Sequence, residues 1–75
     1  MQVGSKIQAL VDYISPDEAE RFDWGWFPIC GDEGVIVNSF TMETGETAYD
    51  IRFFEDDLPN ESWPYLASEI EEIAA

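Results

Sequence analysis

Residues 35–54, VIVNSFTMETGETAYDIRFF, carry the clearest structural signal in the chain. Residues 35–42 and 47–54 are rich in β-branched and aromatic side chains, a composition typical of strands. The residues between them include Gly45, which suits the left-handed backbone conformation of a hairpin connection. The stretch therefore predicts an antiparallel hairpin. Apolar and polar residues alternate in its second strand, so one face should be buried, and that face carries Tyr49, Ile51 and Phe53.

The residues that precede the hairpin, together with its first strand, complete a small predicted sheet. Residues 31–34, GDEG, have the composition of a turn. Residues 29–30 are expected to add a short third strand. Within residues 35–42, alternation should place one apolar set on a single face of the sheet. That set is Ile36, Phe40 and Met42, with Val35 and Val37 on the other face.

The N-terminal residues predict two helices. Ser5 and Gln8 have the spacing of a capping box, and apolar residues at helical spacing accompany them: Ile7, Leu10, Val11 and Ile14. Pro16 should end this first helix, because the residue before a proline avoids the helical region. Ser15, Pro16 and Glu18 then match the N-cap, first position and third position of a second helix over about Pro16 to Asp23.

A last helix is expected to begin near Asn60 or Ser62, with Pro64 tolerated only in its first turn. Its apolar stripe would consist of Trp63, Leu66, Ile70 and Ile73. The whole chain, residues 1–75, is predicted to be a single α+β domain. It should have two N-terminal helices, an antiparallel meander of two or three strands, and a C-terminal helix packed on the sheet.

Composition limits the classes of protein to which the chain can belong. It has 17 acidic and 3 basic residues in 75, no histidine, and a net charge of −14. The 45% hydrophobic content, with 5 Phe, 3 Trp and 3 Tyr, indicates a folded domain and not an acidic disordered tail. No apolar run reaches the roughly 18–20 residues of a membrane span. No secretory signal pattern is visible and Cys30 is the single cysteine, so we expect a cytoplasmic protein without an intrachain disulfide.

The charge balance points to a particular kind of partner. Solubility alone requires a net charge of only about 2–8 in a small domain. Binding to nucleic acid or to anionic membranes is not expected, because both need basic surfaces. Residues 12–75 contain all 17 acids with only Arg21 and Arg52 as cations. We therefore expect the negative potential to serve a basic nucleic-acid-binding protein or complex. Whether the chain is monomeric or dimeric stays open.

Three rows of acids are the candidates for contacting that partner. Carboxylates at i and i+3 or i+4 on a helix are about 5–6 Å apart at Cβ, and alternate strand residues are about 6.6 Å apart. Both spacings are similar to the step between phosphates along a nucleic-acid strand. The rows lie on the second helix, in the loop after the hairpin and on the last helix, and one tryptophan is added as an aromatic anchor. The predicted partner-binding residues are Asp17, Glu18 and Glu20; Glu55, Asp56 and Asp57; Glu61, Glu69 and Glu72; and Trp24.

Small size, extreme acidity, many aromatic residues and a compact α/β build resemble the DNA mimics encoded by phages and plasmids. These include anti-restriction proteins, uracil-DNA glycosylase inhibitors and anti-CRISPR proteins. The resemblance is to a class, covers the whole chain and carries no motif that assigns a role to a residue. It implies a non-enzymatic inhibitor that occupies the nucleic-acid-binding groove of a host defence complex, with anti-CRISPR ahead of anti-restriction.

Two other functions stay open. The first alternative is an immunity protein or antitoxin that neutralises a basic toxin, and the second is an acidic accessory interaction domain. Catalysis is not expected, since histidine and the common nucleophile and phosphate-loop motifs are absent from the sequence. No cofactor is predicted. Residues 56–61 lack the EF-hand pattern, so specific calcium binding is not expected either.

Aromatic residues in two segments stay undecided between core and interface. Trp24, Trp26 and Phe27 belong to one glycine-containing stretch, and Trp63 and Tyr65 precede the predicted last helix. Tryptophan and tyrosine are enriched both in small cores and in interface hot spots. A division with Trp26 inside and Trp24 at a rim is one outcome that the sequence allows.

Overall fold

The computed structural model describes residues 1–21, 26–56 and 61–73 of the chain. These residues form one antiparallel sheet of five strands in the spatial order β4-β3-β2-β1-β5. The strands are β1 (Lys6–Ala9), β2 (Glu33–Thr41), β3 (Thr47–Phe53), β4 (Trp63–Leu66) and β5 (Ile70–Glu72). The helical segments in this part of the chain are α1 (Pro16–Arg21) and a single 3-10 turn (Ala67–Glu69). The predicted α+β fold, with two N-terminal helices and a C-terminal helix, is therefore wrong.

The sheet curls, because its two edge strands are neighbours in sequence. β4 and β5 lie at opposite edges, yet only the three residues of the 3-10 turn separate them. A flat sheet could not satisfy this connection, so the edges must approach each other as in a partly open barrel. Glu69 holds the crossing. Its carboxylate accepts the Leu66 N–H at 2.9 Å, and its backbone carbonyl accepts the Leu10 N–H at 2.8 Å.

The predicted first helix is a strand followed by the start of a long loop. Ile7 and Ala9 are buried and Gln8 is partly exposed, which is the period of a strand. β1 pairs with β2 on one side and with β5 on the other. The capping box does not form, because the Ser5 hydroxyl accepts the Gln2 N–H instead. Backbone pairing on both edges of β1 outweighs the weak local preference of these residues for a helix.

The predicted last helix consists of β4, the 3-10 turn and β5. Trp63 and Tyr65 are buried, whereas Pro64 between them is exposed. Pro64 lies on an edge strand, where the missing N–H costs no hydrogen bond within the sheet. The sequence pattern is ambiguous here, since Trp63 and Leu66 have helical spacing whereas Trp63 and Tyr65 alternate as in a strand.

The predicted hairpin is confirmed as β2 and β3, which pair in antiparallel register. Tyr49, Ile51 and Phe53 are buried, as alternation predicts. Two details of the predicted sheet are wrong. Glu33 and Gly34 belong to β2 and not to a turn, and residues 29–30 are a loop and not a strand. β3 is an interior strand, because β4 pairs with the edge that β2 leaves open.

A β-bulge in β2 overturns the predicted face of Ile36, Phe40 and Met42. The register with β3 shifts between Ile36 and Asn38. One extra residue reverses the alternation beyond it. Ile36 is 1% exposed, but Phe40 and Met42 are 39% and 42% exposed on the outer side of the sheet.

α1 is a short, locally capped segment. The Ser15 hydroxyl accepts the Glu18 N–H at 3.2 Å, the N-cap contact that the sequence predicts. Its six residues, Pro16–Arg21, make no extensive contact with any of the five strands. The predicted continuation to Asp23 lies outside the described residues.

Aromatic rings join the long loop before β2 to the core. The Tyr13 ring is 4.8 Å from that of Trp63 and 5.6 Å from that of Tyr65, both edge-on. The Trp26 ring lies 6.0 Å from those of Phe53 and Trp63 while keeping 38% of its surface exposed. The edge-to-face contacts, those of Tyr13 with Trp63 and Tyr65 and that of Trp26 with Trp63, stabilise the packing beyond burial alone. Among the described residues no helix has the length and apolarity to cross a membrane.

Candidate functional site

The fold leaves its negative charge on the surface and almost unpaired. No acidic side chain among residues 1–21, 26–56 and 61–73 is buried. The one ion pair in that part of the chain joins Lys6 Nζ to Glu33 Oε1 at 3.3 Å, with side chains 51% and 47% exposed. An exposed pair of this kind contributes little to stability. The sheet therefore presents a net negative surface with little internal compensation.

Self-repulsion among these acids should make the protein more stable in salt. Raising sodium chloride from about 20 to 500 mM shortens the screening length and weakens the repulsion. We expect the thermal midpoint to rise by about 4–8 °C for each 1 kcal/mol by which screening increases the free energy of unfolding. Circular dichroism against temperature measures this shift. The double variant Glu43→Lys and Glu46→Lys, in the exposed hairpin loop, should melt higher at low salt and respond less to salt. A midpoint that falls with salt in the wild type would contradict this expectation.

The first predicted acid row lies on α1. Asp17, Glu18 and Glu20 are all exposed. Asp17 and Glu18 occupy the first turn, and Arg21 occupies the last turn. Acids at the start and a cation at the end complement the helix dipole, so this arrangement is favourable for the short helix itself.

The second predicted row is divided by the structure. Glu55 is exposed, but Asp56 is partly buried, and its carboxylate accepts the Trp63 Nε1–H at 3.1 Å. Asp56 therefore holds a core tryptophan in place. Asp57 and Trp24 lie outside the described residues.

The third predicted row does not exist as a row. Glu61 precedes β4, Glu69 lies in the 3-10 turn and Glu72 lies on β5. The Glu69 carboxylate is also engaged by the Leu66 N–H. The prediction places the three on the last helix, and without that helix they belong to three different segments.

The pairing of β1 instead brings together acids that sequence spacing did not connect. Gln8 lies opposite Glu33 of β2 and opposite Glu71 of β5. Its Nε2 donates to Glu71 Oε2 at 3.2 Å. Neighbouring strands are about 4.8 Å apart, so the backbones of Glu33 and Glu71 are about 10 Å apart. Gln8 and Glu71 are 63 residues apart along the chain, which is why no local pattern reveals their proximity.

A cavity of about 260 Å³ extends this acidic surface. It is lined by Gly31, Asp32, Glu33, Phe54 and Glu55. We call Asp32, Glu33, Glu55 and Glu71 the acidic face. Lys6, paired with Glu33 and 5.9 Å from the centre of the Phe54 ring, brings a cation to it. Only Glu55 of these four acids was predicted as a partner-binding residue.

Two aspartates organise the loop between β1 and β2. Asp12 Oδ1 accepts the Cys30 N–H at 2.8 Å, and Asp32 Oδ2 accepts the Ile29 N–H at 3.0 Å. The backbone adds a Tyr13 N–H to Pro28 carbonyl bond at 2.9 Å. These bonds fix the end of the loop next to β2, so the position of Asp32 on the acidic face is set by the fold.

The acids also affect two tyrosines packed under the loop. Burial raises the pKa of Tyr65 well above its ordinary value near 10, and the charges of Glu69, Asp32 and Asp12 add to this rise. Burial, followed by the Glu69 charge, raises the pKa of Tyr13 as well. The Tyr65 hydroxyl donates to the Val11 carbonyl oxygen at 3.4 Å. A neutral, protonated Tyr65 is therefore part of the folded state.

Alkaline pH should destabilise the protein through Tyr65. In the unfolded chain a tyrosine deprotonates near pH 10, whereas in the folded chain Tyr65 keeps its proton to higher pH. Protonated Tyr65 therefore contributes its full share to the free energy of unfolding below about pH 10, and this contribution is lost as the pH rises above that value. Urea unfolding at pH 8 to 11 should show a falling free energy of unfolding.

Tyr65→Phe is the matched control for this pH effect. It keeps the ring packed at 5.7 Å from Phe53 and removes only the hydroxyl, at a cost of about 1 kcal/mol near neutral pH. Its free energy of unfolding should decrease less steeply above pH 10 than that of the wild type. If the free energy of unfolding fell equally steeply with pH in both proteins, the pKa of Tyr65 in the folded state would not be raised.

Potential metal ligands do not converge in the described part of the chain, where no group of three or more such side chains is positioned to hold a metal ion. Cys30 is an exposed free thiol there. The chain matches no family model, no curated protein and no solved structure.

Proposed function

We propose that this protein is a non-enzymatic acidic inhibitor that occupies the nucleic-acid-binding groove of a host defence complex by DNA mimicry. An anti-CRISPR role is favoured and an anti-restriction role comes next. The protein would act in the cytoplasm of the host cell, without a cofactor and without binding nucleic acid itself. Its partner would be a basic protein surface that normally receives a phosphate backbone.

The observation that supports this proposal is the scarcity of internal charge compensation in the described part of the chain. With a net charge of −14, the described residues contain one ion pair and no buried acid. A domain selected for stability alone would place cations between these acids, because close opposite charges remove the repulsion. An external basic groove supplies that compensation when the two surfaces meet, and long-range attraction also speeds their encounter.

The acidic face is the surface we assign to this contact. Asp32, Glu33 and Glu55 line one cavity, and Glu71 extends the charge across two strands. β1, β2 and β5 hold Glu33 and Glu71 on paired backbone segments, so these two carboxylates are presented in fixed register. Such preorganisation reduces the entropy lost on binding.

Competition with DNA tests the proposal. Purified CRISPR effector and restriction complexes would be titrated with the protein, and nuclease inhibition and direct binding would be measured with and without duplex DNA. We expect DNA to displace the protein, so that the inhibitor concentration needed rises in proportion to the DNA concentration. Inhibition that DNA does not relieve would reject mimicry.

The same measurements separate the other functions. Tight binding to a basic toxin encoded next to the gene, with no effect on defence complexes, would assign an immunity or antitoxin role. Failure to bind any of these basic proteins at physiological ionic strength would leave only an accessory interaction domain.

A further inference from the structure

The outer side of β2, β3 and β4 carries a hollow built by a small residue between large ones. Cross-strand register places Phe40, Ala48 and Leu66 side by side. Ala48 is 2% exposed, because its larger neighbours rise on both sides of its methyl group. The β2 bulge creates this arrangement, since it moves Phe40 to the side that Ala48 occupies.

The hollow is a groove of about 380 Å³ with an almost entirely apolar surface. Its size lies within the roughly 300–1,000 Å³ typical of ligand-binding clefts. Phe40 and Met42 form one wall and remain about two-fifths exposed. We call this the apolar groove, and its principal lining residues are Phe40, Met42, Ala48, Pro64, Leu66 and Glu69.

Acids surround the apolar groove. Glu69 is part of its lining. Asp50 lies two residues from Ala48 on β3, opposite Pro64, and the hairpin loop beyond Met42 contains Glu43 and Glu46. On the same side of β3, Arg52 lies four residues from Ala48, about 13 Å along the strand. An occupant therefore meets apolar surface in the centre and mainly negative charge at the rim.

This charge pattern selects the occupant. A second copy would bring another −14 to a surface of the same sign, which opposes self-association. An apolar segment with flanking lysine or arginine places its cations beside the acidic rim. An added β-strand would find few donors on β4, because Pro64 has no N–H and the Leu66 N–H donates to Glu69. The groove is suited to side chains and not to strand addition.

We propose that the apolar groove binds a segment of the basic target in which apolar side chains are flanked by lysine or arginine. This inference rests on the proposed function and deepens it. The acidic face would supply salt-sensitive attraction, and the groove would supply an anchor that does not depend on salt. Apolar burial is non-directional and weakly screened, so it can hold a complex that electrostatic attraction has brought together.

Two labelled peptides of equal charge test the groove directly. The probes are Lys-Arg-Leu-Leu-Arg-Lys and Lys-Arg-Ser-Ser-Arg-Lys, and fluorescence anisotropy at low ionic strength measures their affinities. We expect the leucine peptide to bind about tenfold tighter for each leucine transferred from water. Its amide chemical-shift changes should centre on Phe40, Ala48 and Leu66. Equal affinity of the two peptides would overturn the inference.

Filling or opening the groove should remove this preference. Ala48→Leu places a side chain into the hollow, and Met42→Ser removes part of a wall without enlarging a core residue. Both variants should bind the leucine peptide only as tightly as the serine peptide. Their affinity for the serine peptide should equal that of the wild type. Ile29→Ala, which alters an apolar side chain that is 47% exposed outside the groove, should keep the wild-type preference.

The outcomes distinguish the two proposals. If both peptides bind with equal affinity, the proposal that the apolar groove binds apolar side chains is wrong, whereas the proposal of a basic partner stands. Failure of both peptides to bind the wild type contradicts the proposed basic partner itself. Self-association of the wild type in sedimentation equilibrium, abolished by Ala48→Leu, would assign the groove to a second copy and overturn the inference.

Discussion

Replacing Gly34 with alanine should remove a large part of the protein's free energy of unfolding. A Cβ atom at this position would lie 2.5 Å from the Arg52 carbonyl oxygen, 2.9 Å from Ile51 Cγ2 and 3.0 Å from Phe53 Cα. Two of these atoms belong to the backbone of β3, directly opposite Gly34 in the sheet. They cannot move aside without separating β2 from β3. We expect a loss of about 3–5 kcal/mol from a total of about 5–15 kcal/mol.

Gly31→Ala is the comparison that isolates this steric effect. Gly31 has a φ of +97°, and a Cβ there would meet no atom within 4 Å. Its substitution costs only the strain of a left-handed backbone, roughly 1–2 kcal/mol. Urea unfolding followed by tryptophan fluorescence gives both values. If the Gly34 variant were as stable as the Gly31 variant, the close approach of β2 and β3 at this point would be wrong.

Association with the basic target should weaken about a hundredfold between about 50 and 200 mM salt. This magnitude follows if the four carboxylates of the acidic face each make one contact, because affinity falls with a log–log slope of about −0.9 per contact. Engagement of further acids would increase the loss. The dissociation constant of the complex, measured at four or more salt concentrations, gives the slope.

Two triple variants with the same charge change locate the contact. Glu33→Gln, Glu55→Gln and Glu71→Gln together should lower the magnitude of the slope by about 2.7. The control triple variant changes three acids of α1 and should leave the slope unchanged. Its substitutions are Asp17→Asn, Glu18→Gln and Glu20→Gln. Both change the net charge from −14 to −11. A reduced slope in the control and not in the first triple would move the binding site to α1.

Local patterns predicted those parts of the fold in which neighbours along the chain decide the structure. The hairpin of β2 and β3 joins adjacent segments, and Tyr49, Ile51 and Phe53 alternate strictly with polar residues. The Ser15 N-cap satisfies a donor only three residues away. In both cases the partner lies within the same short stretch of sequence, so spacing and residue type are sufficient.

Local patterns failed where partners are distant. Residues 6–9 pair with β2 and with β5, and their apolar residues fit a helical stripe as well as a strand. Pro64 indicated a first helical turn but lies on an edge strand. The bulge that moves Phe40 outward has no marker in residues 35–42. In each case, pairing with another segment overrode a weak local preference.

The candidate site shows the same division. Glu55 was predicted because it belongs to an acidic run, but Asp56 beside it holds Trp63 through a hydrogen bond. Glu33 and Glu71 were not predicted, since they meet only through their pairing with β1. The apolar groove was not predicted either, because its walls come from the C-terminal end of β2 and from β4, on either side of Ala48 in β3.

The amino-acid sequence by itself determined the hairpin and the large uncompensated charge, because composition and alternation do not depend on distant contacts. Tertiary structure alone decided that residues 6–9, 63–66 and 70–72 form strands, that the sheet curls, and which acids and apolar side chains share a surface. The physical reason is that short segments have small intrinsic preferences, whereas backbone pairing and burial between distant segments are large enough to override them.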